Sequence, residues 1–252
     1  MYRQWQTAGV VFTIVGAVVL IAALTVAGIA VRRAAGRPER FPWSWTLPAL
    51  VVIAVTVILG AIRYPALPDR IPIHFDLYGT PDRTATTSLL SAFFPVGVQL
   101  LVTAVLVACA ALTLMAPDAG RTLVRLTTRA LLVLAVCLDL SNFFIATQVW
   151  QGGTRLSPAA LAGVLISAGA GLAVVVATVL WAGRKQPEGP QPVDLDHWRG
   201  AFYVNRHDPK LFVPKRFGVG WTFNFGHPLS WVVLGVLVAV AILGPILGAL
   251  TS

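Results

Sequence analysis

Two clusters of residues in this chain have the types and spacing for chemistry. The first is Asp139 with Asn142, three residues apart and so on one face of a helix, with Ser141 beside them. They sit in a long apolar stretch, where Asp139 is the only carboxylate. A charge at that depth costs at least ~2.5 kcal/mol by insertion scales, and ionisable groups inside a membrane are functional candidates by default. Three roles fit: a proton or cation relay, a polar contact for a substrate, or a protonated Asp139 bonded to Asn142 or to a neighbouring helix and holding the bundle together. The second cluster is His74, Asp76 and Asp82, in a segment running from Tyr64 to Asp82. His-x-Asp on an extended strip puts both side chains on one face, and Asp82 is a geometrically feasible third ligand. Zinc sites draw mostly on His and Cys, and this segment has one histidine. The expectation is therefore no metal, with His74 bonding the loop's own backbone and Asp82 shaping a turn or capping the next helix.

These residues need elements to hold them, and composition names the medium. The chain has 252 residues, 57% hydrophobic and 12% charged, with a mean hydropathy of +0.78. A globular domain carries about 25% charged residues, so most of this surface does not face water. A bilayer core needs about 20 apolar residues in a helix. Six stretches qualify, at about 8–31, 44–62, 89–115, 127–149, 157–183 and 230–250. The expected fold is an all-α integral membrane protein, a bundle of six transmembrane helices. Its domains read as a five-span membrane part at 1–183 with an extracytoplasmic loop module at 63–88, a linker and small β-element at 184–229, and a sixth helix at 230–252. The first stretch is too long for a cleavable signal and its n-region is weak. Cys109 and Cys137 fall inside spans and read as small packing residues.

Orientation follows from Lys and Arg in the loops. Fourteen fall in the 32–43, 116–129 and 184–229 connections, against five on the other side. Both termini and the Tyr64–Asp82 loop are thus expected outside, in a multi-pass plasma-membrane protein. The net charge of +9 comes from this anchoring and implies no nucleic acid. Trp5, Trp43, Trp45, Trp150, Trp181 and Trp231 lie near span boundaries, where indoles prefer to be. Pro95 and Pro245 are placed to kink their helices. Gly163, Ser167 and Gly171 recur every four residues, a face on which another helix packs closely. The spacing leaves open whether that helix belongs to this chain or to a second copy.

The outer loop is pre-ordered by Pro65, Pro68 and Pro72, since proline fixes φ and extends the residue before it. Ile71, Ile73 and Phe75 alternate, and Gly79-Thr80-Pro81-Asp82 turns. Three Arg balance three Asp there, so bulk charge does not choose a ligand. On the other side, a Pro-rich linker precedes three β-prone runs, Ala201–Asn205, Leu211–Val213 and Trp221–Phe225. The last places Trp221, Phe223 and Phe225 on one face. A three-strand meander of this size cannot fold alone, so its aromatic face is expected to dock on its own helices, the lipid interface or a partner. His197, His207, Asp194, Asp196 and Asp208 read as caps and turn formers. Lys215-Arg216 is a weak lipid-phosphate signal, and Gly218-x-Gly220 lacks the spacing of a nucleotide loop.

Leu67-Pro68-x-x-Ile71-Pro72-x-His74-Phe75, followed by Gly79-x-Pro81-Asp82, resembles the uncharacterised membrane domain at the N-terminus of SdpI-type immunity proteins. The resemblance covers about residues 50–100. It implies protection against a secreted peptide toxin, with Pro72, His74, Phe75, Gly79 and Asp82 meeting a peptide ligand outside and a regulator held at the membrane inside. The run Trp198-x-x-Gly200-x-Phe-Tyr203-x-Asn205-x-x-Asp208-Pro209, continuing through Lys215, Arg216, Trp221 and Asn224, is similar to a second uncharacterised bacterial family. It implies no activity. The chain has no counterpart of the Asn-x-x-x-Gly-Ile-Arg-Thr-Pro motif of SdpI proteins. His-Glu-x-x-His, Gly-x-Ser-x-Gly and paired intramembrane carboxylates are also missing from the sequence. The expectation is thus no enzyme and no cofactor. A sensor or immunity-type protein is favoured, and a transporter or transporter subunit using Asp139 and Asn142 is the alternative.

Overall fold

The computed structural model describes residues 40–76, 79–114, 121–152, 155–184, 195–216, 221–231 and 234–235. Of the six expected spans, 8–31 and nearly all of 230–250 lie outside the described residues. The other four are present. Helical stretches at Trp43–Ala66, Phe94–Thr113, Thr122–Gln151 and Pro158–Trp181 are long and apolar enough to cross a membrane. The chain is a mostly helical membrane protein.

Helix α1 (Leu47–Arg63) shows why these helices suit lipid. It buries Ala49, Ile53, Thr56 and Gly60 on one helical face, three of the four small or polar, and exposes Leu47, Leu50, Val51, Ile58 and Ile62. A soluble helix would bury the larger residues; a membrane helix packs on its small ones. The stretch expected over 89–115 divides in two. Ser88 caps α2 (Leu89–Ala92) through a reciprocal box with Ser91, and after Phe93 the chain restarts as α3 (Phe94–Thr113). Pro95 cannot donate to the carbonyl of Ser91 and crowds it, which places the break here. Helix α4 (Arg121–Gln151) and helix α5 (Pro158–Arg184) follow.

The small-residue stripe of α5 is filled by α4 of the same chain. A Cβ on Gly163 would lie 2.6 Å from the Phe144 ring, and one on Gly171 would lie 2.8 Å from Cys137 Cβ. Between them Ser167 and Ser141 share a 2.7 Å hydroxyl hydrogen bond. Of the two partners left open for the Gly163/Ser167/Gly171 face, the structure shows a helix of the same chain, α4.

Between α1 and α2 lies an antiparallel hairpin of β1 (Arg70–Phe75) and β2 (Pro81–Thr86). In the segment at 198–223, β3 (Trp198–Arg199) pairs with β4 (Phe202–Tyr203), and β5 (Phe212–Pro214) pairs with β6 (Trp221–Phe223). The expected three-strand meander is thus two hairpins, joined by one parallel bridge, Tyr203 to Asn224. By contacts, Pro42–Val107 and Ala130–Val175 form one compact unit; Ala108–Arg129 belongs to a second with the described part of Val176–Ser252.

Candidate functional sites: a hairpin cleft and a buried polar node

The β1–β2 hairpin is built to stay in place. Ile71 is fully buried in a cluster with Ala92, Ala146, Val149 and Trp150. The expected alternation of Ile71, Ile73 and Phe75 is broken by irregular register on either side of His74. Ile71 and Pro72, which pair in regular register with Ala85 and Thr84, are both buried. At the tip, Asp76 accepts from the Thr80 amide at 2.8 Å and Gly79 takes a φ of 75°, a conformation natural to glycine. Gly79 O accepts from the Leu156 amide at 2.7 Å, tying the tip to the α4–α5 connection. Thr87 Oγ1 donates to Pro68 O at 2.5 Å and closes the base.

The histidine cluster does not gather as a metal site. His74 Nδ1 lies 2.6 Å from Asp82 Oδ1, with the two side chains 58% and 42% exposed. Asp76 is turned to Thr80, whose hydroxyl it accepts at 2.5 Å. Among the described residues no three His, Cys, Asp or Glu side chains group as metal ligands. His74 thus bonds Asp82 and not the loop backbone, and the next helix is capped by Ser88. An exposed pair contributes little. A His74→Ala, Asp82→Ala double-mutant cycle on thermal unfolding is expected to give a coupling below about 1 kcal/mol.

Between hairpin and helices a cleft of about 50 Å³ opens, lined by Pro72 and Ile73 of β1, Ser91 of α2, Phe94 and Pro95 of α3, and Asn142 of α4, among others. Asn142 does not pair with Asp139. Its Nδ2 donates to Leu138 O of its own helix at 3.1 Å, and the residue faces the cleft. Two residues marked by the sequence for separate reasons, Pro72 and Asn142, therefore share one site.

Asp139 belongs to a different site, which α1, α3 and α4 build together. It is fully buried, as are Gln99 and Thr56. Thr103 Oγ1 donates to Asp139 Oδ2 at 2.6 Å. Gln99 Nε2 donates to Thr56 Oγ1 at 3.1 Å and to the main-chain O of Asp139 at 2.8 Å. Ser141 is turned instead toward Ser167. The sequence offered a signal that went unread: Gln99 and Thr103 are four apart in an apolar run, hence on one helical face.

In the second unit, the residues of the long aromatic motif converge on Asn224, which is fully buried. Its Nδ2 donates to Asn205 O at 2.8 Å and to Asp208 O and Lys210 O at 3.2 Å. Its Oδ1 accepts from the amides of Asn205 and Gly226, each at 3.0 Å. Asn205 Oδ1 accepts from the His207 and Asp208 amides, and Tyr203 donates its hydroxyl to Asp208. Trp198 packs edge-on to Tyr203 at 5.6 Å, Pro209 follows in the same turn, and the Trp221 backbone pairs with Pro214. These residues hold a shape. The single aromatic face expected for 221–225 splits because the strand ends at Phe223: Phe223 stacks on Phe212 at 4.9 Å, whereas Phe225 meets Phe202 and Trp231 at 5.1 and 5.8 Å. Lys215 is exposed and Arg216 half-buried.

Residues 51–100 match a family model described as Domain of unknown function (DUF1648), and residues 206–231 match one described as Family of unknown function (DUF5808). The chain is a membrane protein similar in two segments to uncharacterised families. The first match spans the hairpin, Thr56 and Gln99; the second spans the loop plugged by Asn224. No curated protein and no solved structure matches the chain.

Proposed function

We propose that this protein is a non-enzymatic sensor or immunity protein of the SdpI-like type in a bacterial plasma membrane. In this reading the hairpin, facing outward, meets a peptide or envelope ligand, and the Asn224-centred module holds a regulator inside. The supporting observation is the cleft behind a rigidly docked hairpin. Its walls are mostly apolar, with Ser91 and Asn142 as polar contacts, the mix of surfaces found in ligand pockets.

The test uses cells challenged with secreted antibacterial peptides. Survival, or a transcriptional response, is compared between the intact chain and one whose residues 70–86 are replaced by a Gly/Ser linker. A response reduced about tenfold or more in the swapped chain, at equal membrane abundance, is expected. An unchanged response to every peptide would sink the reading. The transporter alternative draws on Asp139, the buried intramembrane carboxylate, and no longer on Asn142, which lies at the cleft.

A further inference from the structure

The buried node leaves two oxygens without donors. Among the described residues, Asp139 Oδ1 and Gln99 Oε1 are fully enclosed and make no hydrogen bond. Every other polar atom of these two side chains is bonded, and those bonds fix their orientation. Gln99 Nε2 is committed to Thr56 and to the Asp139 carbonyl, so its amide cannot flip without breaking both. Thr103 holds the opposite carboxylate oxygen. The helices bonded to this node bring hydroxyls and an amide: Thr103 and Gln99 of α3 bond Asp139, and Thr56 of α1 bonds Gln99. None carries a positive charge. A buried carboxylate needs compensation, and buried acceptors need a donor or a cation.

We propose that Asp139 and Gln99 form an intramembrane binding site for one monovalent cation, held between Asp139 Oδ1 and Gln99 Oε1. The shared chemistry is a single positive charge among hard oxygen ligands. A proton on the carboxyl supplies it by donating to the amide oxygen; a sodium ion supplies it by taking both oxygens, with Thr56 Oγ1 and Thr103 Oγ1 as neighbouring hydroxyls. Either occupant draws on α1, α3 and α4 at once, so occupancy couples three helices. The site is separate from the hairpin cleft, and neither reading depends on the other.

The full chain in nanodiscs is examined in two ways. Its infrared spectrum, taken with ¹³C-labelled aspartate, shows whether one aspartate is a hydrogen-bonded carboxylic acid at neutral pH. Its unfolding midpoint is measured in sodium, potassium and N-methylglucamine salts at equal ionic strength. A carboxylic-acid band that Asp139→Asn removes and Gln99→Met shifts toward a non-bonded frequency establishes the site with a proton. A sodium-specific rise in midpoint of several degrees, lost in both variants, establishes it with sodium. Asp139→Asn is expected to fold as stably as the wild type in sodium-free buffer, because its amide N–H supplies the missing donor. Where a variant fails to fold, the wild-type protein still decides against the site if it shows neither a carboxylic-acid band nor a sodium response. An ionised Asp139 with no response to sodium overturns the proposal. So does a band and a midpoint that Gln99→Met leaves unmoved.

Discussion

Replacing Asn224 with leucine is expected to unfold the segment between Trp198 and Trp231. One side chain makes five hydrogen bonds there: three donated to the carbonyls of Asn205, Asp208 and Lys210, and two accepted from the amides of Asn205 and Gly226. Leucine has a similar branched outline but more bulk, and it can make none of them. Leaving an enclosed polar group without a partner costs about 1–3 kcal/mol, so even partial rescue by water leaves a loss on the order of 3–5 kcal/mol. A module of about 30 residues holds little stability of its own to absorb that. Backfilling is obstructed too, because a Cβ on Gly226 would lie 2.5 Å from the Asn205 carbonyl carbon, which shows how closely the two backbones approach. Hydrogen exchange read by mass spectrometry over residues 203–211 and 224–226 checks the prediction. Protection there should fall in Asn224→Leu while α1 and α4 keep theirs. Asn224→Asp separates shape from chemistry: it retains the acceptor but sets a carboxylate oxygen where Nδ2 faced three carbonyls. It should lose protection as well. A fully protected Asn224→Asp module would show that the donated bonds contribute little.

Four of the apolar stretches, a disturbance at Pro95 (expected as a kink, found as a break) and the close-packed stripe of α5 were legible because each follows from a local property: hydropathy over about 20 residues, a missing N–H, and small side chains at helical spacing. The aromatic motif at 198–225 was legible as an ordered module but not as two hairpins. Its strands are two or three residues long, too short for alternation to declare a register. Strand β2 was not seen at all. Pro-Asp-Arg-Thr-Ala-Thr has no apolar alternation, and it is a strand because β1 is held against the helices by Ile71 and offers it an edge. The buried node illustrates the largest gap. Asp139 stood out as a lone carboxylate, and Asn142 was its obvious neighbour by helical spacing. Three residues correspond to about 300° around a helix, and that 60° offset was enough to send one side chain to α3 and the other to the cleft. Partners such as Gln99 and Thr56 come from other helices, and a single sequence carries no register between helices. Pairing across the bundle is a tertiary fact.

The core that fixes the hairpin yields the second large effect. Trp150 is 6% exposed and packs with Ile71, Ala92, Ala146 and Val149. Its Nε1 donates to Ala92 O at 2.8 Å, and Ala92 is the last residue of α2, at the break before Pro95. Its ring lies so close to α1 that a Cβ on Gly60 would approach Cζ2 to 2.7 Å. One indole therefore joins α1, α2, α4 and, through Ile71, the hairpin. Trp150→Ala is expected to cost about 3–5 kcal/mol, the usual range for emptying a large aromatic site. Trp150→Phe keeps most of the ring and loses the hydrogen bond, for about 1 kcal/mol. Thermal unfolding in nanodiscs gives the ranking. Exchange of the Ile71 and Ala85 amides then decides whether the loss reaches the hairpin. If the core positions the cleft, those amides exchange faster in Trp150→Ala and stay protected in Trp150→Phe. Equal protection in all three would mean the hairpin is held by its ties to Pro68 and Leu156 alone, and the cleft would then owe its shape to loops instead of to the packed core.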